Sequence, residues 1–234
     1  MPETARLSVI IPAVDEEACV SLAVASAKAA APGVEVLVVD GGSRDHTREA
    51  ASAAGASVLE APRSRGVQLD LGARRASGDW LVFLHADTRL EAGWAEALLR
   101  LPEDVVGGAF RFAVDSPRRG YRSIEAGVAL RCRLLRLPYG DQAIFARRAA
   151  YLTVGGFPPL PLMEDVAFAR RLARAGRLAF PRVRALTSCR RWERHGLVGT
   201  TLCNWGLLAL YAAGLAPERL AKIYYRPRAT PEFG

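Results

Sequence analysis

Strand-like apolar runs alternate with helical stretches through residues 1–90, and this alternation constrains the fold more than any other feature of the chain. LSVIIP (7–12) is a continuous apolar run ending in proline, as expected of a parallel strand covered on both faces. An alanine-rich stretch over 15–31 predicts a helix stopped by Pro32 and Gly33. VEVLVVD (34–40) predicts a second strand, with a turn at Gly41, Gly42 and Ser43 and a helix to Gly55 capped by Asp45 or Ser43. ASVLEA (56–61), a helix over 66–77 and DWLVFLH (79–85) complete the series. Strand and helix at this spacing imply right-handed βαβ units and a parallel sheet.

The second half is less regular. AFRFAV (109–114) alternates like a half-exposed strand at the edge of a mixed sheet. An arginine-rich helix is expected over 118–136, a loop over 155–159, and a helix over 164–175 closed by Gly176. The chain of 234 residues shows no internal repeat, low-complexity tract or linker. The economical reading is one domain over 1–234, with halves at 1–90 and 91–190 and a helical extension at 191–234.

A net charge of +8 carried almost wholly by arginine, with Lys28 and Lys222 the only lysines, suits phosphate or an anionic membrane. Nucleic acid is the rival partner, but zinc-finger spacing, aromatic RNA-binding motifs and lysine-rich tracts are missing. Cys19, Cys132, Cys189 and Cys203 have neither metal nor redox spacing, which fits a reducing compartment. MPETARLSVIIP lacks a basic-then-apolar secretion signal, so the expectation is a cytoplasmic protein. The uncharged stretch 196–216 leaves three placements open: a core or dimer helix, a membrane-surface helix at the inner face, and a membrane span. Thr200, Thr201, Asn204 and several glycines make it a poor span, and flanking arginines favour surface contact.

Polar residues collect where the expected strands end. The first strand delivers Pro12, Ala13, Asp15 and Glu17, the second Asp40 and Gly42, and the fourth His85 and Asp87. In FLHADTRL (83–90), period-two geometry would put His85 and Asp87 on one face, at the carboxyl end where open α/β sheets bind ligands. Carboxylates gathered there suit a nucleotide and a hard divalent cation, with phosphates supplying further ligands.

SVIIPAVDEE, VVDGGSRDHT, GDWLVFLHADT and MEDVAFARRL resemble, in order and spacing, the motifs of family-2 inverting nucleotide-sugar glycosyltransferases. GDQAIF (140–145) and SCRRW (188–192) are similar to further family features, and the whole resembles a short bacterial branch of radical-SAM/selenodomain-associated transferases. The resemblance implies a GT-A fold, a Rossmann-like and mostly parallel mixed sheet flanked by helices. It places Pro12, Ala13, Asp15, Glu17, Asp40 and Gly42 at the donor nucleotide and Arg65 beside nucleotide or diphosphate. His85 and Asp87 fall on the family's Asp-x-Asp metal motif, implying Mn²⁺ or Mg²⁺. Asp165 of the Glu164-Asp165 pair falls on the catalytic base, and Arg191-Trp192 on a pair near donor diphosphate and acceptor. Asp141 and Gln142 are candidate polar groups on the acceptor side or members of a solvated turn, and His195 reads as a surface histidine ahead of a third metal ligand. Three departures stand out: Asp15 where asparagine is common, Gly41 where many members carry a second aspartate, and His85 in the first metal position.

Two other functions compete. A sugar-nucleotide pyrophosphorylase would want a glycine-rich, lysine-containing first loop, whereas Ala13-Val14-Asp15-Glu16-Glu17 is acidic. A non-catalytic nucleotide-sugar binding protein would accommodate His85, but retention of Asp165 argues against it.

Overall fold

The structure is a computed structural model that describes residues 5–31 and 33–225. A seven-stranded sheet runs in the order β3-β2-β1-β4-β8-β6-β9, with β1 Leu7–Ala13, β2 Glu35–Asp40, β3 Ser57–Glu60 and β4 Trp80–Phe83. Its other members are β6 Val105–Ala109, β8 Ile144–Arg147 and β9 Arg177–Ala179. β1 pairs in parallel with both β2 and β4, and β2 with β3, while β8 runs antiparallel between β4 and β6. The parallel sheet expected of the first half is therefore present, within the mixed, mostly parallel sheet that the resemblance implies.

Strand periodicity sorts side chains into two apolar layers. Val9 and Ile11 of β1, Val36 and Val38 of β2 and Trp80 and Val82 of β4 face one core cluster. Ile10, Leu37, Val39, Leu81 and Phe83 face the other. Helices α1 Val20–Ala29, α2 Thr47–Ala53 and α4 Trp94–Leu99 cover the first layer. Helices α3 Arg65–Arg75, α6 Arg148–Thr153 and α7 Glu164–Ala175 cover the second. Each fully buried Val, Leu, Ile or Phe contributes about 1.5–3 kcal/mol of transfer free energy, which explains why β1 tolerates no exposed position.

A smaller sheet, β5-β10-β7, combines β5 Thr88–Leu90, β10 Arg184–Thr187 and β7 Arg111–Val114. The stretch 109–114 thus differs from the single half-exposed edge strand expected of it. Its start completes β6 inside the large sheet, fully buried Phe110 makes the crossing, and β7 forms an edge of the small sheet. Only Arg111 of this stretch is exposed: β6 lies between β8 and β9, and Phe112 and Val114 of β7 pack with Tyr121 of α5 and with Trp192.

Helix α1 begins at Val20, later than the expected 15. The acidic residues after β1 instead form a loop in which Asp15 adopts φ +54° and Asp15 Oδ1 accepts from Arg44 N at 2.8 Å. Past α5 Gly120–Leu135 and α7, the chain ends in α8 Arg190–His195, α9 Leu197–Ala212 and α10 Pro217–Tyr224. Among the described residues no helix is long and apolar enough to cross a membrane, which overturns the span placement of 196–216. Helix α9 breaks before Gly214, at φ +90°, and docks one side, through Leu207 and Leu208, on Leu162, Met163, Val166 and Leu220.

Candidate active site

The order of the large sheet reverses between β1 and β4: the chain leaves β1 toward β2 on one side and returns to β4 on the other. Such a switch point opens a crevice beyond the carboxyl ends of the strands. There a cavity of about 190 Å³ is lined by Arg65, His85, Asp87, Asp141, Asp165 and Arg191. Trp192, Tyr139, Asn204 and Tyr224 complete its polar and aromatic wall. Seven of the residues proposed from sequence thus share one cavity, although they come from five separate parts of the chain.

Asp165 stands in the first turn of α7, where the helix dipole favours a carboxylate. Its Oδ1 accepts from Val166 N at 2.8 Å and its Oδ2 from Gly140 N at 2.8 Å. Gly140 belongs to a 3₁₀ turn, Gly140–Gln142. The preceding residue of α7, Glu164, is 1% exposed and pairs with Arg65 Nε, anchoring α3 against the helix start. Burial pushes the Glu164 carboxyl up, against the pull of Arg65.

His85 and Asp87 reach the cavity by a route different from strand alternation. β4 ends at Phe83, and a turn follows in which Thr88 N donates to His85 O at 3.0 Å. Burial, reinforced by Arg65, pushes the His85 imidazole down to about 4 against Asp87 and Asp165, so it is uncharged at neutral pH and keeps a nitrogen lone pair for a ligand. Asp87 lies 3.6 Å from Arg190 Nη2, which also bonds Glu16 Oε2 at 2.8 Å. Arg190 therefore bridges the loop after β1 to the turn after β4. Sequence reading assigned it nothing, although it sits in SCRRW beside Arg191.

Asp141 carries an Oδ1 with no hydrogen-bond partner despite its burial. Burial pushes its carboxyl up to about 6; Arg131 and Arg191 oppose the rise, and Asp165 and Asp87 add to it. Arg131, also missed from sequence, is buried, stacks 3.4 Å over the Tyr139 ring and donates to Gln142 Oε1 at 3.0 Å. Gln142 faces away from the cavity: Oε1 accepts from Tyr139 N and Nε2 donates to Phe110 O, so it holds the turn together. Arg191 stacks 4.5 Å from the Tyr224 ring centroid, and Trp192 packs against Phe112 and Tyr121.

The residues proposed at the ends of β1 and β2 lie outside this cavity. Pro12 and Ala13 are buried in β1. The fully buried Asp40 accepts from Gly42 N at 3.0 Å and from Ser43 N and Oγ, making a self-contained turn. Gly42, at φ +86°, is exposed. Glu17 Oε2 accepts from His46 N at 2.9 Å. These contacts stitch the two loops into one rim beside the switch point. The side chain of His195 lies outside the described residues.

Residues 8–157 match the model of glycosyl transferase family 2. The chain belongs to that family. No curated protein sequence matches the chain. Its GT-A-type fold is shared with residues 1–349 of TarS from S. aureus, solved in complex with UDP, at a TM-score of 0.64 and 17% identity over 78% of this chain and 60% of that one. Glucosyl-3-phosphoglycerate synthase from Mycobacterium tuberculosis, solved with Mn²⁺, UDP and glucosyl-3-phosphoglycerate, aligns at 0.57 and 23% identity, covering 78% and 72%. The mannosyltransferase PcManGT from Pyrobaculum calidifontis, solved with GDP-Man and Mn²⁺, aligns at 0.57 and 19%, covering 77% and 56%. The chain thus spans about 60% of the TarS fragment's length.

Among the described residues no group of three or more His, Cys, Asp or Glu side chains is placed to hold a metal ion. The donor set still fits one in part. A carboxylate, Asp87, and an uncharged imidazole, His85, line the same cavity, and Mg²⁺-type ions commonly take one or two protein ligands with the rest from phosphates and water.

Proposed function

We propose that the protein transfers a sugar, with inversion, from a nucleotide-diphosphate donor to a hydroxyl-bearing acceptor. The observation that carries this reading is the Asp165 carboxylate, held by Gly140 N–H at 2.8 Å in a cavity that also holds Arg65, Arg191 and Asp87. Asp165 takes the proton of the acceptor hydroxyl as its oxygen forms a bond to the anomeric carbon. The bond from that carbon to the diphosphate breaks on the opposite side, and its electrons leave with the diphosphate. Arg65 and Arg191 offset the charge that accumulates there. Asp87 and His85 would hold a divalent metal, which supplies further charge neutralisation to the leaving diphosphate.

In this reading residues 1–90 serve as the donor half, 91–190 as the catalytic and acceptor half, and the segment from 191 onward as an extension whose described helices contribute Arg191, Trp192, Asn204 and Tyr224. The resemblance of the motifs supports membership of the radical-SAM/selenodomain-associated branch and a cytoplasmic location. The test is incubation with a panel of nucleotide sugars and candidate acceptor alcohols, with Mn²⁺, with Mg²⁺ and with a chelator. Nucleotide diphosphate release and a product of inverted anomeric configuration are expected. Tight donor binding with no release across the panel would leave the protein a nucleotide-sugar binder, and nucleotide triphosphate formation from sugar nucleotide and pyrophosphate would make it a pyrophosphorylase.

A further inference from the structure

Helices α5 and α9 run side by side on the surface. The Cβ direction of Gly120 at the start of α5 points within 3.2 Å of Leu197 Cδ2 at the start of α9. Farther along, Ile124 and Val128 of α5 face Thr201 and Trp205 of α9 across a shared groove. The outward side of α9 is wholly apolar: Val198, Leu202 and Trp205 are 69%, 66% and 48% exposed, and no charged residue occurs anywhere in the helix. Their spacing places them on one stripe, with Ala209 continuing it. On α5, Leu130 and Leu134 are likewise exposed. Arg119 and Arg133 share that outward side by helical spacing; Arg122 is held by Glu125 at 2.7 Å, and α8 exposes Arg194 beside Glu193.

We propose that this two-helix face docks the protein on an anionic lipid surface. Leucines and one tryptophan among arginines are the composition of a helix lying in a bilayer interface, where apolar side chains enter the acyl boundary and cations meet lipid phosphate. A second copy of the chain fits this face less well. Two-fold self-association brings the same surface against itself, crowding two sets of Arg119, Arg133 and Arg194 into one interface in a protein of net charge +8. A peripheral rather than spanning contact follows from the absence, among the described residues, of a helix long enough to cross.

The groove between α5 and α9 shares Tyr139, Asp141, Trp192 and Asn204 with the catalytic cavity. Docking therefore sets the mouth of that cavity at the lipid headgroups. Docking itself stands independently of the transfer reaction.

The test uses the full chain and vesicles of phosphatidylcholine alone or mixed with phosphatidylglycerol. Co-sedimentation with the mixed vesicles at low salt is expected, weakening at high salt and far weaker on phosphatidylcholine alone. Trp80, Trp94 and Trp192 are buried, so a blue shift of tryptophan emission on binding reports Trp205, and Trp205→Phe should abolish it. The double variant Leu134→Glu/Leu202→Glu should lose at least about tenfold in vesicle affinity while keeping its thermal midpoint and nucleotide-diphosphate affinity. The proposal is overturned if the wild type ignores anionic vesicles at low salt, or if the double variant binds them as well as wild type. It is also overturned if the face proves to hold a dimer that the same variant dissociates.

Discussion

Gly140 N donates to Asp165 Oδ2 at 2.8 Å, across 25 residues of chain. A Cβ at Gly140 would lie 2.7 Å from His85 Nε2 and 3.3 Å from Asp165 Oδ2. The missing side chain at this position therefore lets three polar groups converge. Gly140→Ala must displace the imidazole or the turn. Because a shift on the order of 1 Å at a reacting centre costs about 10²-fold, turnover should fall by about one to two orders of magnitude. The overpacking should cost about 1–3 kcal/mol of stability, so the protein still folds. Steady-state kinetics beside a denaturant titration checks both, and unchanged turnover would separate the Gly140–Asp165 contact from catalysis.

Asp165→Asn keeps the shape of the side chain and removes the base. Transfer should drop by roughly 10²–10⁴-fold, with donor affinity within a few-fold of wild type. Calorimetric donor titration alongside turnover decides it. Near-normal turnover would move the base elsewhere in the cavity, with Asp141 next in line.

Asp87→Ala should remove metal-dependent strengthening of nucleotide-diphosphate binding, whereas His85→Asp should preserve it and shift preference from Mn²⁺ toward Mg²⁺, since imidazole favours the softer ion. In the wild type, metal affinity without nucleotide should be weak, because Arg190 lies 3.6 Å from the Asp87 carboxylate and competes for it. Nucleotide-diphosphate titrations with each metal, for all three proteins, make the comparison. An Asp87→Ala protein with unchanged metal dependence would leave Asp87 as a partner of Arg190 alone.

Glu91 accepts from Arg184 N at 3.0 Å and from Arg184 Nε at 3.0 Å, tying β5 to β10. The Arg184 hydrogen bond holds the Glu91 carboxyl below its ordinary range. The folded state thus binds this proton less readily than the unfolded chain. The stabilisation is present above the unfolded value, about 4.3, and disappears as pH falls through the lower folded value. With side chains 33% and 45% exposed, the contribution at pH 7 should stay under about 1 kcal/mol. Denaturant titrations of Glu91→Gln against wild type should show that gap at pH 7 and none once the wild-type Glu91 carboxyl is protonated in both the folded and the unfolded state. A gap that persists in acid would assign the effect to packing.

Much of the large sheet could be read locally. The runs in β1, β2 and β4 are apolar because both faces are covered, and the separation between successive strands from β1 to β4 leaves room for one crossover helix each. The small sheet had no such signal. β5 and β10 are three and four residues long, too short to establish a period, and β10 pairs with strands more than 70 positions earlier. That pairing is what brings Ser188 N to Asp87 O at 3.1 Å, Arg190 to the Asp87 carboxylate and Arg191 to the cavity.

The sequence by itself determined the elements whose signal is periodic, the parallel core and its two helical layers, along with the residue types that meet at the strand ends. It also singled out Asp165 as a candidate, through the resemblance of MEDVAFARRL to the family's acidic pair. Only the tertiary structure decided which polar groups share the cavity and which serve the scaffold: Asp40 and Gln142 are enclosed in local hydrogen bonds, while Arg190, Arg131 and Tyr224 reach the site unannounced. The physical reason is range. Backbone periodicity acts between neighbours along the chain, whereas the role of a charged side chain depends on which distant charge and which buried surface packing places against it.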